Sequence, residues 1–302
     1  MAALLLRLAP AEGYTATTVP GVRLLRSNRP LQTTPVLYEP GIVFVCQGRK
    51  TGFWGDRRYV YDAQHYLAVA VPVPFTMETE ASAEEPLLAV YLGLDLALVA
   101  ELTSQLDGLL GAPQAAPATM LSTPIDDTLA DAVLRLLQAL ASPVESAILA
   151  PGIVREICFR VLCGEQGHAL RAALSGTGRV ARIGRAVRRI HTAYREPLQI
   201  DALAGEADMS VSTFHLHFRQ VTDSSPLQYL KSIRLHKARL LMLRENMTAA
   251  AAAARVGYES PSQFGREFKR LFGRSPALET DRLRGAYAMP AMPWAEDWVS
   301  SH

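Results

Sequence analysis

Three cysteines in 302 residues are too few and too scattered for a disulfide framework or a zinc site. Cys46 stands alone, and Cys158 and Cys163 are five apart on an expected helix, hence on different faces. Histidine is sparse as well. The N-terminal half has only His65 and His168, with no pair at ligand spacing, and His215 and His217 are two apart on an expected helix and cannot chelate together. No G-x-S-x-G, P-loop or zincin motif is present. No catalytic residue, metal or cofactor is therefore expected, and an enzyme is the weakest of the function classes. Long apolar runs are missing too: no uncharged stretch reaches the ~18–20 residues of a membrane span. The opening MAALLLRLAP is too short for a signal peptide and is interrupted by Arg7. These absences lead us to expect a cytoplasmic protein with reduced thiols and no membrane partner.

What is present suits a globular chain long enough for two domains, with 49% apolar and 20% charged residues. The net charge of +2 hides an asymmetry. Residues 179–284 hold 19 Lys/Arg against 10 Asp/Glu, a net of +9, so the remainder carries −7. A basic segment on an acidic body suggests a polyanion-binding module attached to something with another task.

The basic segment contains a repeat at an offset of 50 residues. Ser210, Ser212, Phe214, Phe218, Ser225 and Pro226 recur as Ser260, Ser262, Phe264, Phe268, Ser275 and Pro276. In each copy a small-residue helix leads through a short turn to a Ser-capped helix with Phe at i and i+4. That is the helix-turn-helix pattern of DNA readers, present twice. Ser260 caps the second recognition helix, Pro261 occupies a position where its missing N–H costs nothing, and Gln263 is placed to close a capping box. With the phenylalanines turned inward, the outward set is Ser212, Thr213, His215, Leu216 and Arg219 in the first copy. In the second it is Ser262, Gln263, Arg266, Lys269 and Arg270. Arg266 suits a guanine edge and Gln263 an adenine edge. Arg219, Lys269, Arg270 and Arg274 suit phosphates, which set register without reading sequence.

Upstream, residues 18–92 alternate Pro-rich connections with short β-branched and aromatic runs: 42–45, 59–61, 66–71 and 87–92. Such a pattern predicts a small barrel or double-sheet roll able to hold one small ligand. Helical periodicity follows, with Leu96, Val99, Ala100 and Leu106 marking one helix and Leu129, Val133, Leu136, Leu137 and Leu140 a second. A third is expected over about 148–162. The first two either cover the roll or pair subunits into a homodimer. Residues 174–180 read as a linker. After the linker an Arg-rich helix carries Ile183, Val187 and Ile190 on one face, and a connecting helix over about 227–243 joins the two repeats.

The stretches ADMSVSTFHLHFRQVTDSSPLQYLKSIRLHKARLLM (207–242) and RVGYESPSQFGREFKRLFGRSP (255–276) resemble the AraC/XylS-type transcription regulators. The N-terminal strings LLRSNRP, PVLYEPGIVFVCQGRK and RRYVYDAQHYLAVAVPVP resemble the subgroup whose effector domain is a cupin-like roll followed by helices. The resemblance runs from about Gly21 to Arg284. It implies an α+β protein: a cupin-like effector domain with a helical appendage over 1–173, a linker over 174–180, and an all-α double helix-turn-helix domain over 181–284. An irregular tail over 285–302, with Trp294 and Trp298, completes the expected division. It also implies double-stranded promoter DNA as partner, a small-molecule effector, and contact with RNA polymerase. One departure stands out: the subgroup's FHRHF string reads FHLHF here, so Leu216 replaces a cation and shifts the first half toward apolar contact with thymine methyls or weakens its readout.

Cys46 precedes the Gln47-Gly48-Arg49-Lys50 turn. It reads either as a small buried hydrophobe or as a sensory thiol whose pKa Arg49 and Lys50 lower. Tyr59, Tyr61 and Tyr66 read as roll packing. A DNA-binding architectural protein without an effector is the remaining rival, and the N-terminal roll argues against it.

Overall fold

The computed structural model describes residues 1–175 and 178–286. The chain opens with a short helix, α1 (Ala2–Leu8), and nine strands follow: β1 (Gly13–Ala16), β2 (Val22–Ser27), β3 (Leu31–Tyr38), β4 (Gly41–Gln47), β5 (Arg49–Trp54), β6 (Arg57–Asp62), β7 (His65–Val69), β8 (Val73–Glu80) and β9 (Leu87–Gly93). After α2 (Leu96–Leu110) a last strand, β10 (Met120–Pro124), returns to the sheet. Every pairing is antiparallel, in the order β1-β2-β9-β4-β7-β6-β5-β8-β3, with β10 on β7. The sheet curls into a half-barrel whose interior is filled by side chains such as Val36, Ile42, Tyr61, Leu67, Val73 and Met77. The expected runs 42–45, 59–61 and 87–92 lie in β4, β6 and β9, the run 66–71 overlaps β7 up to Val69, and Tyr59, Tyr61 and Tyr66 are buried as packing residues.

The helical appendage comprises α2, α3 (Asp127–Leu140), α4 (Pro143–Ile148), α5 (Ala150–Cys163) and α6 (Gly167–Leu174). Asp95 and Asp126 cap α2 and α3 by accepting N–H bonds from the first turn. The apolar stripe of α3 is buried as its period requires, but on α2 Leu96 and Ala100 face solvent while Val99, Leu102 and Leu106 face inward. The third expected helix is α5, with Pro151 in its first turn, and a short helix that the periodicity did not mark, α4, precedes it, opened by Pro143.

The C-terminal half is helical throughout: α7 (Gly178–Ala193), α8 (Ile200–Glu206), α9 (Val211–Thr222), α10 (Pro226–Arg244), α11 (Ala249–Arg255), α12 (Pro261–Phe272) and α13 (Pro276–Ala286). Within the stretch expected to be a linker, α6 ends at Leu174 and α7 begins at Gly178. The beginning of the expected tail, residues 285–286, falls in α13; Trp294, Trp298 and the rest of that tail lie outside the described residues. No described helix is long and apolar enough to cross a membrane.

The two halves are in direct contact. Tyr229 of α10 donates its hydroxyl to the Pro72 carbonyl at 2.8 Å, and Thr119 donates to the Val221 carbonyl at 3.1 Å. Arg239 reaches the Pro35 carbonyl of β3 at 2.9 Å. The tight turn after β5 also touches the first repeat: at Gly55 (φ +57°) a Cβ would come within 2.8 Å of the Asp223 carboxylate, so a side chain there would be strained by the left-handed backbone and would push that carboxylate aside.

Candidate nucleic-acid interface

Each repeat folds as its sequence directs. Ser210 accepts the Thr213 N–H at the start of α9, and Ser260 accepts the Gln263 N–H at the start of α12. Phe214 and Phe218 stack edge to face at 5.3 Å beneath α9; Phe264, Phe268 and Phe272 form the equivalent row beneath α12. All five are buried, which fixes the opposite face of both helices outward. α12 ends where Gly273 turns left-handed at φ +75° and returns its N–H to the Lys269 carbonyl.

That opposite face carries the expected residues. Ser212, Thr213, His215, Leu216 and Arg219 are exposed on α9, as are Ser262, Gln263, Arg266, Lys269 and Arg270 on α12, with Arg274 just beyond. Leu216 is 58% exposed, an apolar side chain with no partner core. Gln263, Arg266, Glu267 and Arg270 line one groove on α12. Among the described residues Arg219, Arg266, Lys269, Arg270 and Arg274 pair with no carboxylate, so their donors are free to meet phosphate or base. Gly265 lies on this helix with nothing within 4 Å of an added Cβ, so packing within the protein does not require glycine there.

Two expectations need correction. Gln263 does not close a capping box: its amide nitrogen donates to Glu267 Oε1 at 3.2 Å instead. The capping box of this region is at α10, between Ser225 and Gln228. Cys46 is not an activated thiol, because burial pushes it up to about 12. Arg49 is turned to Asp62 at 3.4 Å, and Lys50 is buried against Met77, so neither cation serves the sulfur.

Sequence reading missed a cleft of about 820 Å³ between the halves. Its apolar wall is Val71, Leu96, Leu240 and Leu241, and its cations are Arg188, Arg195, Lys237, Arg244 and Arg255. Two of the carboxylates in its wall are already engaged, Glu39 with His191 at 3.4 Å and Glu196 with Arg189 at 3.7 Å. The wall connects to α9 of the first helix-turn-helix. His191 Nε2 meets the Tyr229 hydroxyl at 2.8 Å, that hydroxyl holds Pro72, and the Tyr229 ring stacks on Phe218 at 5.4 Å. No periodic signal marks such a cleft, because its residues come from strand ends and four separate helices.

Comparisons with known proteins agree with this geometry. Residues 18–169 match the family model of the AraC-type transcriptional regulator N-terminus, and residues 203–278 match a helix-turn-helix domain. The RCS-specific HTH-type transcriptional activator RclR of Escherichia coli K12 is 36% identical over 85 residues, 28% of this chain and 30% of that protein. The HTH-type transcriptional regulator AlkR of Acinetobacter baylyi is 33% identical over 94 residues, 31% of each chain. The chain thus spans about a third of the length of these curated relatives. Fatty acid-bound ToxT from Vibrio cholerae has the same fold, with a TM-score of 0.60 over 88% of this chain and 98% of that one at 12% identity. Since the N-terminal family model alone covers half of the sequence, the chain belongs to the AraC-type transcriptional regulators.

Proposed function

We propose that this chain binds double-stranded promoter DNA by laying α9 and α12 into successive major grooves, and that a small molecule in the cleft between the halves controls that binding. The observation that carries the DNA reading is the duplicated face: two Ser-capped helices, each held by buried phenylalanines, each presenting exposed polar side chains and cations that pair with no carboxylate among the described residues. On this reading Ser212, Thr213, His215, Leu216, Ser262, Gln263 and Arg266 read base edges, while Arg219, Lys269, Arg270 and Arg274 hold phosphates. RNA polymerase and a second copy of the chain are further partners of this reading.

The test is genome-wide binding of the purified chain at fixed salt, with Arg266→Ala and Gln263→Ala alongside. The wild type is expected to occupy a motif of two half-sites about one helical turn, ~10 bp, apart. Each substitution is expected to cost about 1–3 kcal/mol at one base position and relax the motif there. Diffuse, salt-sensitive binding indifferent to both substitutions would point to the architectural rival.

The cleft favours an anionic ligand with an apolar body, since it joins a leucine and valine wall to a surplus of cations. An unsaturated fatty acid, the ligand of the ToxT structure, has that chemistry. Oleate below its micellar concentration is expected to bind the full chain. Arg188→Ala with Arg255→Ala, both exposed on the cleft, should weaken binding at least about tenfold with the melting temperature unchanged. Equal binding by the double variant would remove this ligand assignment. The Tyr229 contact with Pro72, His191 and Phe218 supplies a physical link from cleft to α9.

A further inference from the structure

Glu267 is a carboxylate on the very face that is proposed to meet a polyanion. It follows Arg266 and lies one turn after Gln263, yet its side chain is only 12% exposed. Three donors from three segments converge on it. Lys231 Nζ of α10 donates to Oε1 at 2.7 Å, the Tyr258 hydroxyl to Oε2 at 2.7 Å, and Gln263 Nε2 to Oε1 at 3.2 Å. Burial alone would raise this carboxyl, but the bonds from Lys231, Tyr258 and Gln263 hold it below the usual carboxylate range. It is therefore an anion at neutral pH, and both its oxygens are engaged.

An ionised carboxylate only accepts hydrogen bonds. Gln263 must then turn its NH2 group toward Glu267, because the flipped amide would set two acceptor oxygens against each other. One N–H and the amide oxygen of Gln263 remain for the groove. Adenine offers an N6–H donor and an N7 acceptor in the major groove, which that pair of groups matches. Guanine offers two acceptors, O6 and N7, and O6 would oppose the amide oxygen.

We propose that Glu267 is a positioning residue that determines specificity: by fixing the Gln263 amide, it makes the second helix-turn-helix select adenine over guanine at the base pair that Gln263 faces. Glu267 touches no base itself, and its bond to Lys231 ties the reading helix to α10. The inference rests on the DNA reading of Gln263 proposed above.

The experiment is selection of binding sites from a randomised duplex library by the full chain. Competition titrations follow at fixed salt on duplexes that differ only by A·T or G·C at one position. The wild type is expected to prefer adenine at the Gln263 position by about tenfold or more. Glu267→Gln frees the amide to flip, and that preference falls to within about twofold of parity while preferences elsewhere persist. Gln263→Ala abolishes the same preference, and adding Glu267→Gln to it changes nothing further at that position. Lys231→Met removes another partner of Glu267 but leaves the Gln263 bond, so it lowers stability and keeps the adenine preference.

Uniform weakening by Glu267→Gln with the adenine preference intact would make the residue merely structural and overturn the inference. So would equal relaxation by Lys231→Met. A wild type that selects bases elsewhere but not at this position would also overturn it, leaving the regulator reading in place. A wild type with no base preference at all would remove that reading too.

Discussion

Raising the pH from 7 to 9 is expected to stabilise the folded chain by about 2 kcal/mol through Lys50 alone. Lys50 sits on β5, 1% exposed, inside the half-barrel. Its amine meets the Met77 sulfur at 3.4 Å, and the Tyr38 and Tyr61 hydroxyls crowd the same sulfur at 3.4 and 4.0 Å. No carboxylate pairs with it among the described residues, and burial pushes its pKa down from 10.5 to about 7. Below pH 7 the amine is protonated in both folded and unfolded chain, and the burial penalty is fully present. Between about 7 and 10.5 the unfolded chain keeps a proton that the folded chain has lost, so stability rises with pH. Burial moves the Tyr38, Tyr61 and Cys46 values upward, so these groups oppose the rise only near and above their ordinary values of 9–10. His236, pushed well below its ordinary value of 6.5 by burial, acts mostly below pH 7. Urea unfolding at pH 7, 8 and 9 should therefore show the rise in the wild type. Lys50→Met, close in volume, should be more stable at pH 7 and nearly flat. Parallel profiles for the two proteins would show that the amine does not titrate in this window.

Arg239→Ala is expected to cost about 3 kcal/mol, the lower end of what breaking a buried ion pair costs. Arg239 is fully buried on α10 and joins three elements. It bonds Glu279 of α13 at 3.3 Å and the Pro35 carbonyl of β3 at 2.9 Å, and its guanidinium lies 4.1 Å above the Phe272 ring of α12. Its removal leaves Glu279, 1% exposed, with only the half-buried Arg282 at 2.9 Å as counter-charge among the described residues. The melting temperature should fall by roughly 5 °C for a cooperative unit of 302 residues. Arg239→Met combined with Glu279→Gln should recover much of that loss, because the pair then carries no stranded charge. A shift under about 2 °C for Arg239→Ala would mean that water or Arg282 already compensates Glu279. The same substitution removes the Pro35 bond, one of the ties between the N-terminal half and α10.

Much of this was legible along the chain. The serine caps and the i, i+4 phenylalanines are local signals, so the two reading helices and their outward residues follow from residues 210–222 and 260–272 by periodicity. The strong β-branched runs in β4, β6, β7 and β9 were equally plain. β5 was hidden because RKTGFW has a glycine and two cations and no alternation, and its buried Lys50 reads as a solvent residue in any one-dimensional pattern. β10 was hidden because five residues in a helical region become a strand only by pairing with β7. α1 was read only for what it is not, since one buried leucine gives no period.

The local code therefore determined the family of the protein and which faces of α9 and α12 point outward, because caps, turns and apolar periods act over a few residues. Tertiary structure decided the rest. It turned Gln263 toward Glu267 rather than toward its own helix end, since Lys231 and Tyr258 arrive there from other segments to hold the anion. It packed Cys46, half-buried, against the core and took both neighbouring cations away from it. It also assembled the cleft from Val71, Arg188, Leu240 and Arg255, residues with no sequence relation to one another. Orientation, protonation and cavities depend on what distant segments bring to a side chain, and that is set only when the two halves pack.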